Sequence, residues 1–317
     1  MSEILVLVER TGDDVRKATL ELLTLARRLG EPAALVVGQA GETVVKVLGE
    51  HGAGKVYVAP GDDEAFVVPK VDALVAAVHH SSPDAVLVTA SPEGTEVAAR
   101  AAVRLDSGII TNAVDVTAGD GGPLVTQSVF SGTWTTQSQV VRGTPLVTVR
   151  PNAVLAEVSP VTPTVESLAP GAGAAPAAAV VGLSAKTSTG RPDLADAAIV
   201  VSGGRGMGSA EAFALLEELA DALGGAVAAS RAATDLGWYG HDFQVGQTGK
   251  TVTPQLYLAS GISGAIQHRA GMQGSRTIVA VNKDAQAPIF EIADFGVVGD
   301  AHEVIPALTA ELRRRRD

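Results

Sequence analysis

Residues 244–282 place the strongest constraint on the fold, because glycine-rich turns alternate there with short apolar runs. The runs at 256–259 and 277–281 have the length and composition of buried parallel strands, and a short helix can follow the first of them. The turn between them then presents the unpaired N–H groups of residues 263–265 at a helix N terminus, where a pyrophosphate binds well. Its glycines allow a close approach to a ligand or a positive φ. An ordinary strand-to-helix turn uses the same residue types, so this segment alone leaves both interpretations open.

The preceding segment, VGQTGK at 245–250, ends like a nucleoside triphosphate loop. That loop requires a glycine where this chain has Gln244, so we reject a Walker A interpretation. What remains is Thr248, a hydroxyl residue in a glycine-flanked loop that can point into a site.

A second strand, glycine turn and helix pattern lies at 199–223, with a helix predicted at 210–223. The dinucleotide motif is not met, because Gly204 and Gly206 are followed by Ser209 at the position of the last glycine, where a small residue is only tolerated. The ATP-pyrophosphatase loop fails at Gly206, where its aspartate is required. Arg205 offers a fixed cation for a phosphate, and an ordinary surface arginine is the alternative.

The first half of the chain begins with alternating strands and helices. Short apolar runs predict strands at 4–8, 33–37, 55–59 and 84–89. The helix after the first strand has apolar residues at helical spacing from Val15 to Leu29, and Gly30 is its predicted C cap. This repetition predicts a parallel sheet with helices on both faces. Strands without helices follow at 109–116, 124–132, 133–141 and 145–151, which we interpret as antiparallel additions at one side of the sheet.

Composition limits the possible functions. The formal net charge is −11, which makes nucleic acid or an anionic membrane a poor general partner. The chain has no cysteine, so thiolate metal sites and iron–sulfur clusters are excluded and redox chemistry requires a bound organic cofactor. His79 and His80 lack partners at ligand spacing, so we predict no metal site. The N-terminal apolar run ends at Val8, too short for a signal peptide or a membrane span, which predicts a soluble, cytoplasmic protein.

The length of 317 residues suits two domains. A stretch rich in Pro, Ala and Gly at about 160–186 cannot bury enough apolar area to form a core, which indicates a linker or extended arm. We therefore predict an N-terminal domain at 1–186 that includes this linker, and a C-terminal domain at 187–317, with the boundary near Lys186.

Four motifs together carry a resemblance to a known family. They are VSGGRGMG (201–208), SRAATDLGWYGHDFQVGQTGK (230–250), GISGAIQHRAGM (261–272) and TIVAVNKDAQAPIFEIADFGVVGD (277–300). These segments resemble the FAD-binding half of the α subunit of electron-transfer flavoproteins. They occur in the expected order over roughly the last 120 residues, with weaker similarity over the rest, and are more specific than any single glycine pattern.

The resemblance implies an α/β fold in two parts. The first is an adenine-nucleotide-hydrolase-like parallel sheet with antiparallel additions that has lost its own ligand, and the second is a Rossmann-like (DHS-like) FAD-binding domain. It also implies a heterodimer in which a β subunit completes the FAD site and binds AMP structurally. Such a carrier takes electrons from acyl-CoA dehydrogenases of fatty acid β-oxidation and related dehydrogenases, one at a time through an anionic semiquinone. It passes them to a membrane quinone oxidoreductase without being membrane-embedded itself.

The resemblance assigns flavin-tuning roles to three residues. Arg231 is expected beside the flavin ring, where its charge favours the reduced forms and raises the redox potential. Thr248 is expected at N5, and His268 at the N1 and C2 carbonyl edge. Asn282 and Asp300 are expected at the adenosine end. The other predicted FAD-binding residues are Arg205, Ser230, Val245, Gly246, Gln247, Ser263, Gly264, Ala265, Ile266 and Gln267; no catalytic residue is predicted.

The sequence departs from the family pattern at three positions. The family often has Lys and Asn within the helix that follows SGGRG, and here Gly208 and Ala212 stand in that neighbourhood; Arg269 replaces a commonly apolar residue. Two other functions compete with the electron carrier. One is a flavin- or NAD-dependent oxidoreductase that acts on a small substrate, with His241 or His268 as its acid–base group. The other is a nucleotide-binding regulatory module built on residues 1–186 alone.

Overall fold

The structure, a computed structural model, describes residues 3–61, 65–130, 132–169, 178, 180–182 and 190–316. The chain forms two compact units, one made of Met1–Val129 with Thr135–Ala185 and the other of Phe130–Trp134 with Lys186–Asp317. Lys186 and much of the predicted linker lie outside the described residues, so that boundary stays a prediction.

The first half of the chain forms one large sheet flanked by helices, and a small two-stranded hairpin. Its strands are β1 (Glu3–Leu7), β2 (Arg10–Thr11), β3 (Asp14–Val15), β4 (Glu31–Val37), β5 (Lys55–Ala59), β6 (Ala85–Thr89), β7 (Ile109–Gly119), β8 (Gly122–Val129), β9 (Trp134–Ser138), β10 (Leu146–Val149) and β11 (Thr164–Ser167). Its helices are α1 (Lys17–Ala26), α2 (Glu42–Glu50), α3 (Val68–Ser81) and α4 (Pro92–Arg104). The sheet order is β11-β5-β4-β1-β6-β10-β7-β8-β9, and β2 pairs with β3 in a separate hairpin.

Both faces of the central strands of this sheet are buried, as the predicted helices on both sides require. Ile4 and Val6 of β1 belong to the core on the α1 side, together with Leu22. The alternate residue Leu5 belongs to the opposite core with Leu74 of α3. A near-continuous apolar strand is what a parallel sheet covered on both faces selects.

The first predicted helix is shorter in the structure than in the prediction. Val15 pairs with Arg10 in the β2–β3 hairpin, so it lies outside the helix. The helix ends at Ala26 with Arg27 as its C cap, so the prediction of Gly30 as the C cap is wrong. The segment before the helix instead pairs its backbone in this hairpin, which turns at Gly12 with a φ of 59°. Its backbone hydrogen-bonding groups are satisfied there without helix formation.

Two strands differ from their predicted roles. β10 pairs in parallel with both β6 and β7, so the prediction that residues 145–151 form an antiparallel addition is wrong. The β7–β8 pair is antiparallel, as predicted. β11 comes from the start of the predicted linker and pairs in parallel with β5 at the sheet edge. Backbone pairing gives this segment structure although its side chains are exposed.

The second unit is a parallel sheet with helices. Its strands are β12 (Ile199–Gly203), β13 (Ala226–Ser230), β14 (Gln244–Val245), β15 (Leu256–Ser260), β16 (Ile278–Asn282) and β17 (Phe295–Val298). Its helices are α5 (Phe213–Leu223), α6 (Arg231–Asp235), α7 (Ile266–Met272) and α8 (Ala301–Arg316), with 3-10 turns at Arg205–Met207, His241–Phe243 and Pro288–Glu291. The order is β14-β13-β12-β15-β16-β17, with every neighbouring pair parallel. Together with the first sheet, this confirms the predicted α/β class.

The strand order of the second sheet fixes where a ligand can bind. From β12 the chain builds outward through β13 to β14, and then returns to the other side of β12 to form β15. The order therefore reverses between β12 and β15, and ligands of open α/β sheets bind outside the carboxyl ends of the strands at such a point. None of the helices in the described parts of the chain combines the length and apolar character that a membrane crossing requires.

Candidate functional site

The predicted site residues gather at the carboxyl edge of the second sheet. Ser230 ends β13, Thr248 lies in the loop after β14, and Asn282 ends β16. His268 lies in α7, which follows β15. Because all strands of this sheet are parallel, these ends share one edge.

The glycine turns after β12 and β15 lie against each other at the reversal point. The N–H of Gly204 donates to the Ser260 carbonyl at 2.9 Å, and the N–H of Gly206 donates to the Gly261 carbonyl at 2.9 Å. Gly261 has a φ of 62°, and a Cβ there would lie 2.7 Å from the carbonyl carbon of Gly206. The glycines that the sequence offered for a ligand thus serve first to bring two turns of the chain together.

The turn before α7 offers a row of backbone donors. The N–H groups of residues 263–267 donate to no other residue in the part of the chain that the structure describes. Gly264 has a φ of 86°, and the Ile289 N–H donates to the Ser263 carbonyl at 3.0 Å, which fixes the shape of the turn. The side chain of Ile266 is 72% exposed beside these donors. The row suits an anionic group that lies along it.

Arg231 begins α6 and presents a cation at the same edge. Its side chain is 66% exposed, and its Nε lies 3.4 Å from Asp235 one helical turn later. Ser230 is the N cap of α6 and accepts a hydrogen bond from the Ala233 N–H at 3.4 Å. The backbone of Arg231 is therefore fixed at the end of the strand, while the Arg231 guanidinium keeps N–H donors available for a ligand.

A buried hydrogen-bond chain leads to the Thr248 hydroxyl. Thr234 Oγ1 donates to Gln244 Oε1 at 2.9 Å, and Gln244 Nε2 donates to Thr248 Oγ1 at 3.0 Å. Thr234 and Gln244 are buried, whereas Thr248 is exposed. Since the Thr248 oxygen accepts the amide hydrogen, its own proton is directed elsewhere, and Thr248 is set up as a donor.

The loop after β14 is tied to α7 by its backbone. The Gln247 N–H donates to the Gln267 carbonyl at 2.8 Å. A Cβ on Gly246 would lie 2.9 Å from that carbonyl oxygen, and one on Gly271 would lie 2.3 Å from the Gly246 nitrogen. Val245 is buried at the start of this contact. Thr248 and His268 therefore sit on segments that are packed closely together.

His268 is buried, and its ring is hydrogen-bonded to another described side chain at Nε2. Nε2 lies 3.0 Å from the hydroxyl of Tyr257, whereas Nδ1 makes no hydrogen bond to a described residue. Burial lowers the pKa of His268 to about 4, an effect that the Val245 carbonyl partly offsets. The imidazole is therefore neutral at pH 7, and Nδ1 has no hydrogen-bond partner of ordinary geometry among the described residues.

Two predicted residues at the adenosine end already have partners. Asn282 Nδ2 donates to the Ile262 carbonyl at 2.9 Å. Asp300 accepts from the His302 N–H at 2.9 Å and lies 2.8 Å from Lys283 Nζ, and the hydrogen bond from Lys283 lowers its pKa. Both side chains shape the edge of the site, and their contact with a ligand stays a prediction.

Arg205 and the three residues that depart from the family pattern lie in different environments. Arg205 is exposed in its 3-10 turn, and no ion pair with another described residue holds it. Arg269 forms an ion pair with Glu291 at 2.9 Å, so its extra charge is compensated. Gly208 has a φ of 80°, where a lysine would be strained, and Ala212 is buried at the start of α5.

Gln244 and Tyr257 contribute to the site and were missed as site residues from the sequence. Gln244 was considered only as the residue that breaks a Walker A motif. Tyr257 was part of an apolar run, although a buried tyrosine hydroxyl usually needs a hydrogen-bond partner. That requirement was the available signal, but the sequence could not identify His268 as the partner.

The first unit has a cavity of its own, of about 360 Å³, at the carboxyl ends of β1 and β4. Glu9, Ser91 and Lys70 are among its lining residues. The Ser91 hydroxyl, which caps α4, lies 2.7 Å from Glu9 Oε1. A carboxylate of the chain thus already occupies the start of the helix where an added phosphate would be expected.

Comparison with known proteins gives matches over the whole chain. A family model described as electron transfer flavoprotein domain matches residues 4–188, and one described as electron transfer flavoprotein FAD-binding domain matches residues 193–273. Proteins of Mycobacterium leprae (strain TN) and Mycobacterium tuberculosis (strain ATCC 25618 / H37Rv), each named electron transfer flavoprotein subunit alpha, are 50% identical over 320 residues, 100% of both chains. A protein of that name from Syntrophomonas wolfei subsp. wolfei (strain DSM 2245B / Goettingen) is 40% identical over 330 residues, 98% of each chain.

Proposed function

The chain belongs to the electron transfer flavoprotein α-subunit family, and on that premise we propose that it is the FAD-binding subunit of a heterodimeric electron carrier. FAD binds at the carboxyl edge of the second unit, and a β subunit of the family completes the site. When bound, FAD supplies a ring system that takes up and releases electrons one or two at a time.

The observation that carries this proposal is the buried Nδ1 of His268, which makes no hydrogen bond of ordinary geometry to a described residue. A buried polar atom without a partner costs stability unless something satisfies it, so it indicates a ligand that belongs there. The N–H groups of residues 263–267, which donate to no described residue, and the hydroxyl of Thr248 are further donors at the same edge. A molecule with a phosphate-bearing end and an acceptor-rich ring, such as FAD, fits this set of donors.

Each residue has a distinct task in this proposal. Arg231 provides a permanent positive charge, which favours negative charge on a nearby ring and raises its reduction potential. Thr248 donates at N5, and His268 Nδ1 donates at the N1 and C2 carbonyl edge. The donors of residues 263–267 hold the pyrophosphate.

The outer parts of the site follow the family in this proposal. Arg205 provides a further cation for the phosphates, and Asn282 and Asp300 line the adenosine end. Ser230 and residues 245–247 form the floor of the site.

We also propose the physiological context that the family suggests. The β subunit holds AMP, and the donors are acyl-CoA dehydrogenases and related dehydrogenases in the cytoplasm. The acceptor is a membrane quinone oxidoreductase. A carrier needs a tuned cofactor and an exposed edge for its partners, so no acid, base or nucleophile of this chain has to act on a substrate.

The test is to purify the chain after co-expression with a β subunit of the family and to measure cofactor content. We expect a yellow heterodimer that releases one FAD per α subunit on denaturation. An acyl-CoA dehydrogenase with its substrate should bleach this colour, whereas NADH alone should not. Purification without flavin would contradict the proposal, and direct reduction by NADH would favour the oxidoreductase alternative.

A further inference from the structure

Tyr257 and His268 form a buried polar pair beneath the site. Tyr257, the second residue of β15, is 0% exposed, and His268 is 7% exposed on α7. Their Oη and Nε2 atoms are 3.0 Å apart. Ser202, on the neighbouring strand β12, is also fully buried, and its hydroxyl lies close enough to lower the pKa of the Tyr257 phenol. This group lies among apolar residues of one core, so its few hydrogen bonds determine where each proton resides.

Both rings are uncharged at neutral pH. Burial raises the pKa of Tyr257 far above its ordinary value, although the Ser202 hydroxyl opposes this shift, and burial lowers that of His268. A neutral phenol carries one proton, and a neutral imidazole has one N–H and one bare nitrogen. The contact of Oη with Nε2 therefore contains a single proton, which belongs either to the phenol or to the imidazole.

The geometry assigns that proton to the phenol. If Nε2 carried it, the Tyr257 hydroxyl would need another acceptor, and Ser202 Oγ makes no hydrogen bond of ordinary geometry with any described residue. The Tyr257 hydroxyl therefore donates to Nε2 over the 3.0 Å contact, and the imidazole proton resides on Nδ1.

We propose that Tyr257 is a positioning residue that holds the neutral His268 ring in its Nδ1–H tautomer, so that Nδ1–H donates to the bound flavin. The inference rests on the proposed FAD site for its consequence. The tautomer itself is a property of this chain alone. Without the Tyr257 hydroxyl, the proton is free to move to Nε2, and Nδ1 then becomes an acceptor that cannot stabilise negative charge.

The experiment uses the heterodimer with histidine labelled with ¹⁵N and records long-range ¹H–¹⁵N spectra at pH 7. The His268 signals are assigned by their loss in His268→Gln. We expect a ring protonated at Nδ1 in the unmodified protein and a shift toward the Nε2–H form in Tyr257→Phe. The one-electron reduction equilibrium of the flavin should become about three- to tenfold less favourable in Tyr257→Phe, and tenfold corresponds to about 59 mV.

Tyr239→Phe is the matched control. Tyr239 lies in the same unit, and its hydroxyl donates to Glu217 at 3.0 Å, so this variant also loses one tyrosine hydrogen bond. We expect it to leave the His268 tautomer and the flavin potential unchanged. Equal changes in both tyrosine variants would show a general structural effect and overturn the proposal.

Two further outcomes separate this inference from the proposed function. A His268 ring protonated at Nε2 in the unmodified protein overturns the inference, even if Tyr257→Phe does not fold. A heterodimer without FAD that has the Nδ1–H tautomer, and loses it in Tyr257→Phe, contradicts the proposed function and supports the role of Tyr257 toward His268.

Discussion

Arg231 is the residue whose charge should matter most for the redox potential. Its guanidinium is largely exposed, and its ion pair with a described residue is the one to Asp235 at 3.4 Å. Arg231→Gln removes the positive charge, so we expect a lower flavin potential with FAD still bound. Each ~1.4 kcal/mol of lost stabilisation corresponds to about 60 mV for one electron. Potentiometric titration of the heterodimer measures this change.

A charge-matched control distinguishes a local effect from a change in net charge. Arg313→Gln removes the same charge from α8 in the same unit, where Arg313 pairs with Glu218 at 3.5 Å. We expect no change in potential, because exposed charges beyond a Debye length of about 10 Å are screened. The assignment of Arg231 as a tuning residue is wrong if its substitution has no larger effect than this control.

His268 should make the second unit sensitive to acid. Its pKa in the folded protein is about 4, below the ordinary value of about 6.5 in an unfolded chain. As the pH falls from 6.5 toward 4, the unfolded state binds a proton that the folded state does not, so stability is lost across that window. The loss from this group approaches about 3 kcal/mol. His268→Gln should reduce the difference in unfolding free energy between pH 7 and pH 4 by a comparable amount.

Urea unfolding at the two pH values provides the measurement. His241→Gln, at an exposed position, is the control and should leave the difference unchanged. A His268→Gln protein with the same acid sensitivity as the unmodified chain would contradict a buried, neutral His268.

The sequence predicted where the site residues lie in the sheet, but not which side chains orient them. The motifs brought Arg231, Thr248 and His268 to one sheet edge because each follows a parallel strand. The partners that orient them lie 4 and 11 residues away, in the contacts of Gln244 with Thr248 and of Tyr257 with His268. Such contacts depend on how strand and loop pack, which spacing alone does not specify.

At the scale of elements, the glycine turn before α7 depends on contact with the Pro288–Glu291 turn. Gly264 has a φ of 86°, and a Cβ there would lie 2.3 Å from the backbone nitrogen of Ile289. Gly264→Ala therefore adds backbone strain of about 1 kcal/mol and a clash of about 1–3 kcal/mol. We expect the second unit to lose about 2–4 kcal/mol of stability.

Gly237→Ala isolates the two contributions. Gly237 also has a positive φ, 73°, but a Cβ there would meet nothing within 4 Å. This variant should lose only the strain of about 1 kcal/mol. Urea unfolding of both variants tests the difference, and equal losses would show that the contact with Ile289 does not limit the turn.

Elements with a strong local pattern were predicted well, and the exceptions depended on pairing over long distances. The strand at Lys55–Ala59 has its predicted bounds. By contrast, β10 inserts in parallel between β6 and β7, which its sequence of alternating residues does not reveal. β11 gains its structure only from pairing with β5. Periodicity reports which face is buried, whereas the neighbour of a strand is decided by the whole sheet.

At the scale of the whole molecule, the two units have separate hydrophobic cores. Leu5 and Leu22 belong to cores of the first unit, whereas Val200 and Phe213 belong to cores of the second. Cores of this kind unfold as separate cooperative regions whose stabilities can be measured independently. A ligand that binds only the folded second unit should therefore stabilise that unit.

Hydrogen exchange of the heterodimer with and without FAD tests this expectation. At a free FAD concentration of 100 times its dissociation constant, binding adds about 2.7 kcal/mol and slows exchange about 100-fold where opening requires unfolding of the site. We expect this protection in β12, β15 and α7, and not in β1 or β4. AMP at the same concentration is the control, because a nucleotide-binding module in residues 1–186 would instead gain protection in β1 and β4 with AMP. Protection there with either ligand would favour a functional site in the first unit, at the cavity where Ser91 now contacts Glu9.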